Sequence, residues 1–196
     1  MPRPLLPVLL CAVLALTSAK SSSQEPCNTP YIASDVTLST ATDVPRDVTA
    51  ATKAGLIGQC FQGPTDANLV ASVQQVLRDM GYLRANVAAP SMTLSNASSD
   101  PQRAALTFTV HQGSRSPVQE IEIAGNNLIE ADQIRTVTQV QLGEFLDMSK
   151  VRASALTIQK LYRANGFFKT SVKEGIEFSR APMVRVVFQI NEGPRS

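Results

Sequence analysis

General acid–base chemistry, metal binding and nucleophilic catalysis all need histidines, cysteines or paired carboxylates at workable spacing, and this chain is poor in them. Its single histidine, His111, lies between Val110 and Gln112 at the outward parity of an alternating run, where a solvated imidazole is expected. Glu120 and Glu122 share one strand face at a spacing of two, which suits an acid pair sterically. Charged residues on the solvent face of a sheet give the same pattern. Serines and threonines are plentiful, but no residue supplies a positioned base, and no glycine-rich loop follows a strand as a phosphate cradle requires. Gly125-Asn126-Asn127 reads as a turn. No catalytic, cofactor-binding or metal-ligating residue is assigned, and no small-molecule substrate is expected.

The three cysteines take their meaning from the N-terminus. Residues 1–19 carry an early Arg3, an apolar stretch from Leu5 to Leu16 and Thr17-Ser18-Ala19 before polar sequence, the form of a cleaved signal peptide. The apolar stretch contains Pro7 and is shorter than the roughly 20 residues of a membrane span. Cleavage after Ala19 discards Cys11 and leaves Cys27 and Cys60 in an oxidising compartment, where a disulfide between them is expected. Such a bridge would pin an N-terminal arm, 20–29, to the first folded unit. With 18 Lys and Arg against 16 Asp and Glu, and Arg3 removed with the leader, the exported chain is nearly neutral. That balance gives no electrostatic case for nucleic acid.

The elements that would position any site are repeated. VLRDMGYLRANVAAP at 76–90 and LYRANGFFKTSVKEG at 161–175 have one shape: a helical run, a glycine stop, an aromatic, then alternation. At an offset of 85, Ala155 falls on Val70, Ile158 on Val73, Leu161 on Val76, Gly166 on Gly81 and Phe167 on Tyr82. These positions step by three and four, the mark of one helix face. Asp147 is the expected cap of the second copy's helix, and Thr65 or Asp66 that of the first. Upstream, Ile121-Glu122-Ile123 lies on Val36-Thr37-Leu38 as a first strand. A short amphipathic helix is expected over 130–140, with Ile134, Val137 and, at its end, Val140 as inward candidates; its counterpart at 47–56 is weaker because Thr and Gly dilute it. Downstream the offset becomes 80: Leu106, Phe108 and Val110 lie on Val186, Phe188 and Ile190, so the first copy holds an insertion within SNASSDPQR. Phe145, Tyr162, Phe167 and Phe168 are mostly core by their spacing, and one of the adjacent pair 167 and 168 could point outward.

The fold class is α+β: two tandem β-α-α-β-β modules, 30–114 and 117–195, each a three-stranded mixed sheet covered on one face by two helices. Units of this size bury a modest core, and the other sheet face and an edge strand stay near solvent.

These residues resemble the POTRA (polypeptide-transport-associated) domain family. The second copy carries the resemblance in VQEIEIAGN, in LGEFLDMSKVRASALTIQKLYRANGFF and in VRVVFQINEGP; the first copy departs in its Thr-rich first helix and in Val-His-Gln-Gly for Ile-Asn-Glu-Gly. The resemblance implies a periplasmic, non-catalytic module of outer-membrane assembly or protein transport, binding unfolded or partly folded outer-membrane or secreted polypeptides, with a β-barrel membrane protein as a further partner. It also implies that the second strand of each module is the sheet edge, here 169–178 and 84–94. An edge offers free N–H and C=O groups to an extended client. The residues expected to meet it are Phe168, Lys169, Thr170, Ser171, Val172 and Lys173. The alternatives are the N-terminal part of an outer-membrane β-barrel transporter of the two-partner secretion type, and a purely structural envelope scaffold.

Overall fold

The computed structural model describes residues 28–40, 44–95 and 100–194. The expected leader, most of the arm and Cys27 lie outside the described residues. In chain order the elements are β1 (Tyr31–Ser39), α1 (Arg46–Leu56), β2 (Cys60–Phe61), α2 (Ala67–Asp79), β3 (Asn86–Val87), β4 (Ser91–Leu94) and β5 (Gln102–His111). They continue as β6 (Val118–Ala124), α3 (Ala131–Arg135), α4 (Met148–Ala164), β7 (Ser171–Arg180) and β8 (Met183–Asn191).

The alternating apolar residues of the last strands build the two cores. Leu106, Phe108 and Val110 of β5 are buried against Leu69, Val73 and Leu77 of α2. Val186, Phe188 and Ile190 of β8 are buried against Val151, Ile158 and Tyr162 of α4. In the second sheet the strand order is β6-β8-β7, with β6 parallel and β7 antiparallel to β8. The first sheet has the same plan, β1 parallel to β5, but its third strand comes in two pieces, β3 and β4, both antiparallel to β5. The short β2 pairs with the start of β1, so this sheet has five strands rather than the three expected. The second module keeps a trace of β2 as a single bridge between Pro117 and Phe145. Cys60, which opens β2, is disulfide-bonded.

Local punctuation follows the sequence. Asp66 caps α2 by accepting from the Asn68 amide at 3.0 Å, and Asp147 caps α4 by accepting from the Ser149 amide at 2.8 Å. Gly81 and Gly166 follow the last residues of α2 and α4 with φ of +87° and +89°.

Two expectations need correction. The helix expected over 130–140 stops at Arg135, where the β-branched run Thr136-Val137-Thr138 follows; the Thr136 and Thr138 hydroxyls donate back to the carbonyls of Gln133 and Arg135, at 2.7 and 2.9 Å. Its supposedly weaker counterpart α1 runs 11 residues; there Thr52 is buried and satisfies its hydroxyl on the Val48 carbonyl at 2.8 Å. Phe145 is not in the core: it is 54% exposed and lies under the Arg115 guanidinium, 5.1 Å from the ring centre.

That arginine belongs to the joint between the modules. Its Nε donates to the Met80 carbonyl at 2.8 Å, and its guanidinium also covers Tyr82. The neighbouring Ser116 donates its amide to the Gly81 carbonyl at 2.9 Å and accepts at its own carbonyl from the Leu146 amide at 2.8 Å. A Cβ on Gly81 would come within 2.6 Å of the Leu146 carbonyl oxygen, so the close approach as well as the positive φ calls for glycine. Asp79 of α2 and Arg152 of α4 form an ion pair at 2.9 Å across the same joint.

Candidate functional site

β7 is the outer strand of the second sheet. Its inner side is paired residue for residue with β8 from Ser171↔Asn191 to Phe178↔Val184, and among the described strands none pairs with its outer side. A strand in that position presents a row of free N–H and C=O groups. One side chain set, Val172 and Ile176, packs against the core; the other, Ser171, Lys173 and Glu177, lies on the solvent face.

The six residues expected to meet a client separate here. Ser171, Val172 and Lys173 lie in β7, whereas Phe168, Lys169 and Thr170 precede it. Thr170 is buried, and its one hydroxyl proton is shared between the carbonyls of Phe167 and Glu192, at 2.9 and 2.8 Å. It therefore anchors the strand's entry and offers a client nothing. Phe168 projects outward at 61% exposure while Phe167 is buried. Sequence reasoning passed over Leu156. Arg152, Leu156 and Gln159 fall on one flank of α4 at spacings of four and three. Gln159 donates to the Thr170 carbonyl at 2.7 Å, and Arg152 feels the charge of Glu174, so this flank adjoins β7. Leu156 is 60% exposed there, and Phe178, with Arg84 of the first module over its ring, is 54% exposed at the far end of the strand. An apolar residue breaking the polar side of α4 was the available signal.

The corresponding edge of the first module is interrupted. Val87 pairs with Val110 and Ser91 with Thr107, as Val172 pairs with Ile190 and Gly175 with Val187. Between these shared positions the first module has Ala88-Ala89-Pro90 where the second has Lys173-Glu174. One extra residue, in a segment containing proline, ends β3 and restarts the pairing as β4.

The sheet's solvent face and the strand's entry are held by charge. Arg185 of β8 bonds Glu120 at 3.0 Å and Glu122 at 3.1 Å, with Glu177 at 3.8 Å. The field of Glu120 foremost, with that of Glu122 and Glu177, holds the guanidinium's proton more tightly than usual. The two glutamates that could have formed an acid pair are thus engaged by an arginine. Below them, the Glu192 carboxylate accepts from the amides of Asn127 and Leu128, both at 2.8 Å, and from the Tyr162 hydroxyl at 3.0 Å. Burial first, then the bond to Glu192, pushes the Tyr162 phenol's pKa well above its ordinary range. His111 is exposed at the end of β5. Among the described residues no group of three or more His, Cys, Asp or Glu is placed to hold a metal ion, and no helix is long and apolar enough to cross a membrane.

Residues 116–193 match the family model POTRA, described as surface antigen variable number repeat. No curated protein matches the chain. Among solved structures, POTRA domains 3–5 of BamA from Haemophilus influenzae are 18% identical with a TM-score of 0.50, over 82% of this chain and 61% of that one. BamA from Haemophilus ducreyi lacking POTRA domains 1–3 is 20% identical with a TM-score of 0.52, over 82% of this chain and 29% of that one. The chain thus spans less than two thirds of either structure, and at these identities the likeness is one of fold. The likeness to the POTRA family is thus carried by residues 116–193, the second module.

Proposed function

We propose that this chain is a periplasmic, non-catalytic binding protein of outer-membrane assembly or protein export, which engages unfolded or partly folded outer-membrane or secreted polypeptides by adding them as a strand to β7. The observation that carries the reading is the uninterrupted free edge from Ser171 to Phe178, in register with β8 throughout. Backbone pairing supplies affinity with little sequence preference, and Leu156, Phe168 and Phe178 flank the edge as apolar contacts for alternate client side chains. The fixed joint holds the first module at one end of that edge through Arg84 and Phe178. The disulfide at Cys60 supports the reading of an exported chain, and Cys27 is the partner that this reading proposes for it.

Hydrogen exchange with an unfolded β-barrel strand peptide tests this. The expected result is new protection of the β7 amides. Unchanged exchange along β7 would leave a spacing scaffold as the better account of the two joined modules.

A further inference from the structure

We propose that β7 also pairs with β7 of a second copy of this chain, antiparallel and centred on Gly175, joining two three-stranded sheets into one of six strands. The proposal concerns the same edge but goes beyond client binding, since the paired copies would cover it. A two-fold axis through such a pair sets residues equidistant from the axis opposite each other on the same sheet face. Centred on Gly175, Lys173 of each copy faces Glu177 of the other, so two opposite-charge pairs form on the solvent face. On the other face Val172 meets Phe178 of the second copy, an apolar partner for a ring now half open to water.

Other centres lose this complementarity. An axis at Lys173 opposes two ammonium groups, one at Glu174 or Glu177 opposes two carboxylates, and one at Ile176 leaves Lys173 opposite Ser179, beyond the irregularity that follows Phe178. The opposite edge of the same sheet cannot do this. In β6 an axis at Ile121 sets Glu120 against Glu122, and the strand carries no cation to oppose either. In the first module the break at Pro90 removes the continuous strand. Among the described edges, β7 is the one whose charges complement themselves.

Sedimentation of the chain from Lys20 onward, over a concentration series, tests the pairing. Wild type should self-associate. Lys173→Glu, which faces Glu177, and Glu177→Lys, which faces Lys173, should each weaken association about tenfold. The double variant Lys173→Glu/Glu177→Lys should restore it, because the charges are exchanged but still opposed. A monomeric wild type at its highest soluble concentration, a single reversal without effect, or a double variant that stays dissociated would each overturn the proposal. Exchange protection by the barrel-strand peptide, measured on the same variants, separates this from client binding. Protection retained in a dissociated variant shows the client site acting alone, whereas self-association without any peptide protection keeps the pairing and removes the client reading.

Discussion

The two modules share a topology and a register, yet one edge is a continuous strand and the other is broken. The difference is a single residue in the middle of the third strand: Ala88-Ala89-Pro90 against Lys173-Glu174, with the flanking pairs to β5 and β8 in matching positions on both sides. An edge is a hazard for aggregation as well as an opportunity for binding, and a proline bulge is one of the ordinary ways to close it. On the proposed reading the modules divide the tasks: the first edge is blunted by its break, and the second stays continuous, with a lysine and two glutamates along it.

Exchanging the two segments should have the largest effect. With Ala-Ala-Pro in place of Lys173 and Glu174, peptide-induced protection of β7 should vanish, a loss of about tenfold or more in affinity, while the core amides of α4 and β8 stay protected. The reciprocal exchange, Lys-Glu in place of Ala88-Ala89-Pro90, should create peptide-dependent protection over 86–94. Binding that stays with the second module after the exchange would show that continuity of the edge is not what distinguishes the two.

The corner behind each edge differs too. Tyr162 and Glu192 of the second module correspond to Leu77 and Gln112 of the first, at the offsets of 85 and 80. Glu192→Ala leaves the amides of Asn127 and Leu128 and the Tyr162 hydroxyl without their acceptor, and should cost the second module about 2–3 kcal/mol. Tyr162→Phe should cost about 1 kcal/mol at neutral pH. It should also change the alkaline limb. With the folded pKa of Tyr162 raised, the unfolded phenol loses its proton above about pH 10 while the folded one keeps it, so wild-type stability falls as pH rises from there. The Phe variant should lack that contribution. Exchange resolved by module measures both effects, and an equal loss in the first module would show that the two cores do not unfold separately.

Much of this organisation was legible in the sequence because it rests on local chemistry. Asp66 and Asp147 cap helices through their own nearby amides, Gly81 and Gly166 stop them through positive φ, and alternation in 106–110 and 186–190 marks the core strands. What was not legible depends on contacts distant in sequence. The spacing of Phe145 suits a core residue, but the bridge to Pro117 carries it outward to meet Arg115. α3 ends at the β-branched run Thr136-Val137-Thr138, whose effect a pattern of apolar spacing does not show. Thr170 looked like part of the edge until its hydroxyl met the Glu192 carbonyl, 22 residues away. The break in the first edge had a visible cue in Pro90, whose significance appears only once its neighbours are seen to be in register with those of β7.

The smallest effect concerns what keeps the first module at the end of the open edge. Asp79 and Arg152 form the one ion pair across the joint among those described, but their side chains are 31% and 48% exposed, so water screens most of the attraction. Asp79→Asn should therefore cost about 0.5 kcal/mol or less. The relative orientation of the modules, read from residual dipolar couplings, should not change. The backbone contacts of Ser116 to Gly81 and Leu146, together with the stacking of Arg115 on Tyr82 and Phe145, remain in that variant. If the modules instead reorient freely, the ion pair and not the backbone sets the joint, and the first module would then have no fixed place beside Phe178 from which to influence a strand bound to β7.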